Sequence, residues 1–424
     1  MPSASLARAE SVRADTLLQF VPLLVLLPRP KAERQNRRWV GVVPLSTSRR
    51  RLLCLLGFLW PIGLQAQDLA GIEIHGFVTQ GFLFSSHNNY LTMQSSSGSL
   101  QWTEGAVSVT DSVTDNLRIG IQLRMYQLGQ LGGPNIQVDW ASGDYRFNDY
   151  VGIRAGKVKT VLGLFNDSQD VDSIFLWSLL PECSYPVDNE SLFLSHLGGD
   201  VYGEIPLGEH SGRLVYDGYV GEVNLDPNGG YVKQFSDAGI VFTSPPGGKT
   251  YGGDLRWKPP VNGLTVGASI DVEAINGSGP VASLHIAPFH ITVDYAEFIR
   301  GKWNFAGEYD RGSLTDVITS PQGTLLLPFD VRAWYGMGSY RISGKLQVGS
   351  YYSHYNNKAL DTSLPQNYSK DWVASTRYDF NSYFYAKLEG HFLHGTGLGY
   401  YASTNPNGTQ PNSNMLAAKI GFSF

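Results

Sequence analysis

From Gly71 to the last residue, apolar and polar side chains alternate with a period of two, in segments of about ten residues that repeat along the chain. The clearest segment is Asn116 to Tyr126: Leu117, Ile119, Ile121, Leu123 and Met125 point one way, and Asn116, Arg118, Gly120, Gln122 and Arg124 the other. The pattern recurs in Ile136, Val138 and Trp140; in Leu264, Val266, Ala268, Ile270, Val272 and Ala274; in Phe289, Ile291, Val293 and Tyr295; and in Phe384, Ala386, Leu388, Gly390 and Phe392. One such strand suits a soluble sandwich equally well, but many long ones suit a wall with hydrocarbon on one side and water on the other. No run of about 18 apolar residues occurs, which excludes a membrane-spanning helix and leaves strands as the means of crossing. The fold class is therefore all-β, a transmembrane antiparallel barrel.

Composition agrees. Forty-eight Gly, 23 Tyr, 20 Phe and 9 Trp beside only 16% charged residues describe many turns and aromatic-bordered strands. Mean hydropathy is −0.15, as expected where lipid-facing and water-facing rows average out. Residues 1–66 hold 10 of the 32 Lys and Arg but 3 of the 37 acids, so the remainder carries 22 against 34, a net charge of −12. That acidic balance excludes nucleic acid as a partner. Cys54 and Cys183 fall on opposite sides of the processing site described next, leaving one thiol, so no disulfide framework, metal site or cofactor is expected.

Arg49, Arg50 and Arg51 precede the apolar run Leu52 to Leu64, and Leu64-Gln65-Ala66 ends on a small residue. Basic region, apolar region and cleavage site in that order make 49–66 a signal peptide and Gln67 the start of the mature chain. Residues 1–48, with a second apolar run from Leu17 to Leu27, read as an over-extended start or an unstructured extension.

Loop chemistry orders the strands. Tight turns rich in Gly, Pro, Asn and Asp read at 112–115, 143–149, 206–212, 258–263, 300–302, 341–344 and 379–382, and longer polar stretches at 86–99, 222–250, 312–328, 356–369 and 395–413. Seven tight turns plus two termini on one side give about 16 strands. Phe235 to Phe242 reads as a hairpin within an outside loop; counted as wall it makes 18.

The last residues alternate Leu416, Ala418, Ile420, Phe422 and Phe424 with Ala417, Lys419, Gly421 and Ser423 and end on an aromatic carboxyl terminus. This resembles the terminal-strand signal by which outer-membrane barrels are inserted, with Phe422 and Phe424 as its carriers. Together with Ile72-Glu73-Ile74-His75-Gly76-Phe77, Leu117-Arg118-Ile119-Gly120, Gly143-Asp144-Tyr145-Arg146-Phe147-Asn148-Asp149 and Ile420-Gly421-Phe422-Ser423-Phe424, it makes residues 67–424 similar to the trimeric porins of the Gram-negative outer membrane, both the general-diffusion type and its phosphate-selective relatives.

The resemblance implies that the third outside loop, 160–196, folds into the barrel and narrows it. Its acids Asp167, Asp170, Asp172, Glu182, Asp188 and Glu190 then oppose a basic wall of Arg118, Arg124, Arg154, Lys157 and Lys159, setting a transverse field across a constriction. Inward by parity are also Asp139, Asp254, Arg256, Asp271, Glu273, Asp294, Glu308, Arg332, Lys345, Lys387, Glu389 and Lys419, acids and bases nearly balanced. The expected function is passive diffusion of ions and small polar solutes, without catalysis. The expected partners are outer-membrane lipid and lipopolysaccharide, the barrel-insertion machinery and two further copies in a homotrimer. A solute-specific sugar or anion channel is the alternative, with Tyr351, Trp334 and Tyr385 as aromatic slide, although no dense basic ladder for phosphate is present. A barrel enzyme would draw on His75, His290 or His391, but no nucleophile motif accompanies them.

Overall fold

The computed structural model of this chain describes residues 71–424, so the leader 49–66 and the extension 1–48 lie outside the described residues. Sixteen strands follow in order: β1 (Ile72–Ser85), β2 (Ser99–Ser112), β3 (Leu117–Leu128), β4 (Leu131–Arg146), β5 (Gly152–Lys159), β6 (Ser195–Gly208), β7 (Gly212–Asn224), β8 (Gly247–Lys258), β9 (Leu264–Ser278), β10 (Ser283–Arg300), β11 (Trp303–Ser320), β12 (Gly323–Arg341), β13 (Leu346–Asn357), β14 (Tyr368–Asp379), β15 (Phe384–His394) and β16 (Asn412–Ser423). Each pairs antiparallel with its sequence neighbours, and β1 closes the cylinder on β16 from Phe77↔Ser423 to Ser85↔Met415. Gly76 and Phe424 exchange backbone hydrogen bonds of 3.0 Å at the seam, so the aromatic carboxyl terminus is tied into the ladder. Closure satisfies the backbone groups that an edge would leave bare in hydrocarbon.

The alternation resolves into inside and outside. In β16, Met415, Ala417 and Lys419 are buried within the barrel while Leu416 and Ile420 are exposed on its outer surface. In β3, Ile119, Ile121 and Leu123 are exposed outward, and Gln122 and Arg124 are buried inward. Aromatic rings gather on the rim where the tight turns lie: Phe422 packs 4.9 Å from Phe384 and 5.9 Å from Phe424, and Trp303 stacks on Phe305 at 5.4 Å. Such a girdle marks a membrane interface.

Five features differ from the sequence reading. The segment read as a hairpin at 235–242 begins in a short helix, α1 (Gly230–Asp237), because Tyr231 and Phe235 sit one helical turn apart, their rings at 5.1 Å, and Lys233 pairs with Asp237 across the same spacing. The stretch 312–328 is not a loop: β11 and β12 keep pairing as far as Ser320↔Gly323, with β10 beside them to Ser283↔Thr319, so these strands rise beyond β13, whose pairing with β12 ends at Val331↔Asn357. A bulge at Asp139 puts Trp140 opposite the inward Gln122, and Trp140 joins the inner row. In β10 the apolar row faces inward, with Val293 and Tyr295 buried, leaving Asp294 on the outer surface. Arg332 is likewise outside, since its neighbours Ala333 and Tyr335 are the buried ones.

Glycine lets rings lie flat against the inner wall. A Cβ at Gly421 would stand 2.2 Å from Cζ of Tyr385, its partner across the β15–β16 ladder. Gly421→Val is expected to obstruct this pairing next to the closing seam and lower the fraction of protein that migrates as folded barrel on unheated gels; an unchanged fraction would contradict that role.

Candidate functional site

The site is the segment between β5 and β6, residues 160–194, where the chain leaves the wall and enters the barrel. Its neck is closed by Thr160 N–H donating to Leu194 O at 3.1 Å, and by the Asn166 amide donating to Thr160 O at 2.8 Å and Phe193 O at 2.7 Å. Apolar side chains hold the body. Leu162 and Leu164 pack on Val293, Tyr295 and Ala306, Leu176 and Trp177 on Tyr351 and Val373, and Leu179 joins Tyr90, Trp102, Leu393 and Met415. These contacts explain the inverted row of β10, since an inward-folded apolar loop needs apolar wall beneath it. Gly163 has a positive φ of 65°, and a Cβ there would stand 2.8 Å from Oε1 of Glu308, so the loop meets the wall at a glycine.

Polar contacts then fasten the loop to nearly opposite sides of the wall. Asp172 receives Lys387 at 2.9 Å, Lys419 at 2.8 Å and the Tyr385 hydroxyl at 2.9 Å. Lys387 also donates to the carbonyls of Asp172 and Trp177, and Arg377 to those of Ser173 and Phe175. Glu389 accepts the backbone N–H groups of Ser178 and Leu179 at 3.0 Å each. On the other side Glu308 accepts Leu164 N–H and the Tyr185 hydroxyl, and Arg256 donates to Gly163 O at 3.0 Å.

The structure distributes the eleven constriction residues named from the sequence into different roles. Arg124 is buried against Glu190, with Glu104 at 3.7 Å. Lys159 bridges Asp139 at 2.7 Å and Asp170 at 2.6 Å at the neck. Asp188 accepts the Tyr401 hydroxyl at 2.6 Å, and Glu182 accepts Val187 N–H at 3.2 Å. Asp167 lies in a partly exposed position. Arg154 contacts no loop acid but pairs with Asp200 at 3.0 Å and with Asp217. Arg118 lies toward the rim of tight turns, more than half exposed and paired with Glu73 at 3.1 Å. Lys157 shares its row with the outward Leu197 and donates to Val138 O at 2.7 Å. Asp170, Asp172 and Glu190 thus touch wall cations instead of facing them across a gap, while Asp167, Glu182 and Asp188 meet none among the described residues.

Burial pushes the Glu190 carboxyl up to about 7 against the pull of Arg124. It likewise pushes Asp170 up to about 6, with Lys159 pulling it down and the Asp139 carboxylate pushing it further up.

Charge on the wall is uneven. On β2, β3 and β14 to β16 the inner cations Arg124, Arg377, Lys387 and Lys419 are interleaved with the acids Glu104, Asp371 and Glu389. From β5 to β11 the inner face carries Asp200, Asp217, Asp254, Asp271, Glu273, Glu308, Asp310 and Asp316, outnumbering the guanidiniums Arg154 and Arg256. Sequence reasoning missed Arg377, Glu104, Asp200, Asp217, Asp310 and Asp316; the outer rows opposite them are too mixed to reveal which parity faces inward.

A closed cylinder with an apolar exterior, a charged interior and a loop across the lumen defines the fold of the outer-membrane porins. No protein-family model and no curated sequence matches the chain. Solved structures do match in fold: OmpF of Salmonella typhi in complex with daunomycin (13% identity, TM-score 0.54, 83% of this chain and 97% of that one) and the anion-selective porin of Comamonas acidovorans (11%, 0.53, 83% and 98%). Outer-membrane-expressed OmpT of Vibrio cholerae matches at 10% identity and a TM-score of 0.51, over 83% of this chain and 97% of that one.

Asp172→Ala is expected to leave Lys387 and Lys419 buried without their shared carboxylate. Breaking a buried pair this way costs about 3–5 kcal/mol. Faster protease cleavage within 160–194 of the folded barrel checks it; cleavage at the wild-type rate would show that the apolar anchors alone hold the loop.

Proposed function

We propose that this chain is a non-catalytic diffusion pore of the outer membrane, delivered by the leader at 49–66, through which ions and small polar solutes pass a passage narrowed by 160–194. The observation that carries this reading is a polar, charged lumen behind an apolar outer face, with a loop fastened across it to β15 and β16 on one side and to β11 on the other. Water beside the acidic inner face of β6 to β11 is ordered by its field, which eases the passage of dipolar solutes and disfavours apolar ones. The excess of carboxylates on β6 to β11 gives a preference for cations. His391 gives chemistry no support: it is held between Asp371 at 2.7 Å and Glu389 at 3.1 Å, as part of the wall beneath the loop.

The outward faces of β1 to β5 carry Gln80, Thr103 and Lys157, side chains poorly suited to hydrocarbon. That face is the subunit contact of the homotrimer in this reading, and OmpT of Vibrio cholerae has been solved in a trimer form.

Purified barrel added to a planar bilayer is expected to give stepwise conductance, and deletion of 167–188 to enlarge each step; silence would overturn the pore, and unchanged steps the narrowing role of the loop. A second expectation concerns pH. Glu190 and Asp170 gain protons as pH falls from 8 through about 7 and about 6, the lumen loses negative charge, and the reversal potential in a salt gradient moves toward zero. Anion preference at pH 8 would contradict the acidic lumen.

A further inference from the structure

The ladder is interrupted where the loop leaves it. β4 pairs with β5 only from Arg146↔Gly152 to Ala141↔Lys157, so Leu131 to Trp140 have a ladder partner in β3 alone. β5 goes on to pair with β6 as far as Lys159↔Ser195, and the chain then turns inward. The edge of β4 left behind is met piecemeal: the Lys157 ammonium donates to Val138 O at 2.7 Å, the Ser195 hydroxyl to Asp139 O at 3.1 Å, and Gly132 N–H to Asn228 O at 3.0 Å. Between these ties lies a cavity of about 240 Å³.

The cavity draws its lining from both rows of the wall and from two segments that cross it. Arg124 comes from the inner row and Leu197 from the outer, Asp188 from the loop, and Asp226 from the stretch that follows β7. Its charges do not cancel one another. Lys157 has no ion-pair partner among the described residues, and its ammonium meets only the Val138 carbonyl. Asp188 and Asp226 are buried and have no cation paired with them among the described residues; the first accepts the Tyr401 hydroxyl at 2.6 Å, the second the Tyr126 hydroxyl and the Gln137 amide. Arg124 is engaged by Glu190 through its terminal nitrogen, but its Nε is buried with no hydrogen-bond partner. Buried charge without a counter-charge is unfavourable, and a guest that carries both signs relieves it at both ends. The volume lies below the roughly 300–1,000 Å³ of pockets that take drug-sized ligands, so the guest is smaller than those.

We propose that this interruption of the wall is a binding site for a free zwitterionic α-amino acid with a small apolar side chain. Its carboxylate is met by Lys157 Nζ and Arg124 Nε, its ammonium by Asp188 and Asp226, and its side chain by Val187 and Leu194, which also line the cavity. Hydrogen bonds between ionised partners out of water are the strong ones, so a solute bearing only one of the two charges leaves one end of the site unmet. The proposal names a solute class for the diffusion pore and rests on that reading of the chain.

The test is equilibrium dialysis of the folded protein in detergent against radiolabelled L-valine, with unlabelled valine, isovalerate and L-valinamide as competitors. Isovalerate keeps only the carboxylate and valinamide only the ammonium. Wild type is expected to bind valine saturably and to prefer it to either analogue by about tenfold or more. K157Q is expected to lose the preference over valinamide, and D188N the preference over isovalerate. D226N repeats the second expectation should D188N not migrate as folded barrel on unheated gels, and the comparison of the three competitors on wild type needs no variant. Absence of saturable valine binding, equal competition by all three compounds, or unchanged preferences in the folded variants would each overturn the proposal. Single-channel conductance on the same preparations separates the site from the pore: a conducting barrel that does not bind valine contradicts the site alone, whereas a silent one contradicts the pore.

Discussion

Everything in this structure depends on the pairing of peptide groups around a closed ring. In hydrocarbon an unpaired N–H or C=O costs several kcal/mol, and an antiparallel ladder leaves such groups wherever it has an edge. The seam between β1 and β16 removes the edge, and the reciprocal bonds between Gly76 and Phe424 carry the ladder to the last residue. Glycines such as Gly421 admit the rings that brace the inner wall, and rings at the tight-turn rim mark where water returns. Fold and membrane location are in this sense one requirement.

A ring of 16 strands has an interior wider than its own wall side chains can fill, and the chain fills it with 35 residues of itself, 160–194. The loop is held in two ways. Apolar anchors lose contact with water against Val293, Tyr295, Tyr351 and Val373, and carboxylates and carbonyls are met by Lys387, Lys419 and Arg377 from strands about 200 residues further along the chain. Both are needed: burying Asp172 without its two lysines, or the lysines without Asp172, leaves an uncompensated charge. The loop's own charge is largely engaged in these contacts.

The sequence carried the architecture because period two is a direct record of two solvents. The strand number, the tight turns, the closing strand and the position of the long loop could all be read in this way. The alternation does not say which row is inside. It fails at β10, where the inner row is apolar because the loop lies on it, and at the Asp139 bulge, where one extra residue moves Trp140 across the wall. It misses that β11 and β12 continue to pair through 312–320 and 323–328, because pairing above the membrane no longer requires an apolar row. The contacts of the residues read as lining the narrowing were less accessible to sequence reasoning. Arg124, Lys159, Asp170, Asp172 and Glu190 meet loop or wall partners, while Arg118 and Lys157 do not join them, and the pairing of Asp172 with β15 and β16 joins residues too far apart in sequence for local pattern to link.

The central claim, hydrocarbon outside and water inside, is tested most directly by spin labels at consecutive positions 117–123 of β3 in a Cys183→Ser background, reconstituted in lipid. Labels at Ile119, Ile121 and Leu123 should be relaxed by oxygen, and those at Arg118 and Gly120 by a water-soluble nickel chelate, in strict alternation. Uniform exclusion of both reagents from the apolar row, as in a dry packed core, would contradict the account.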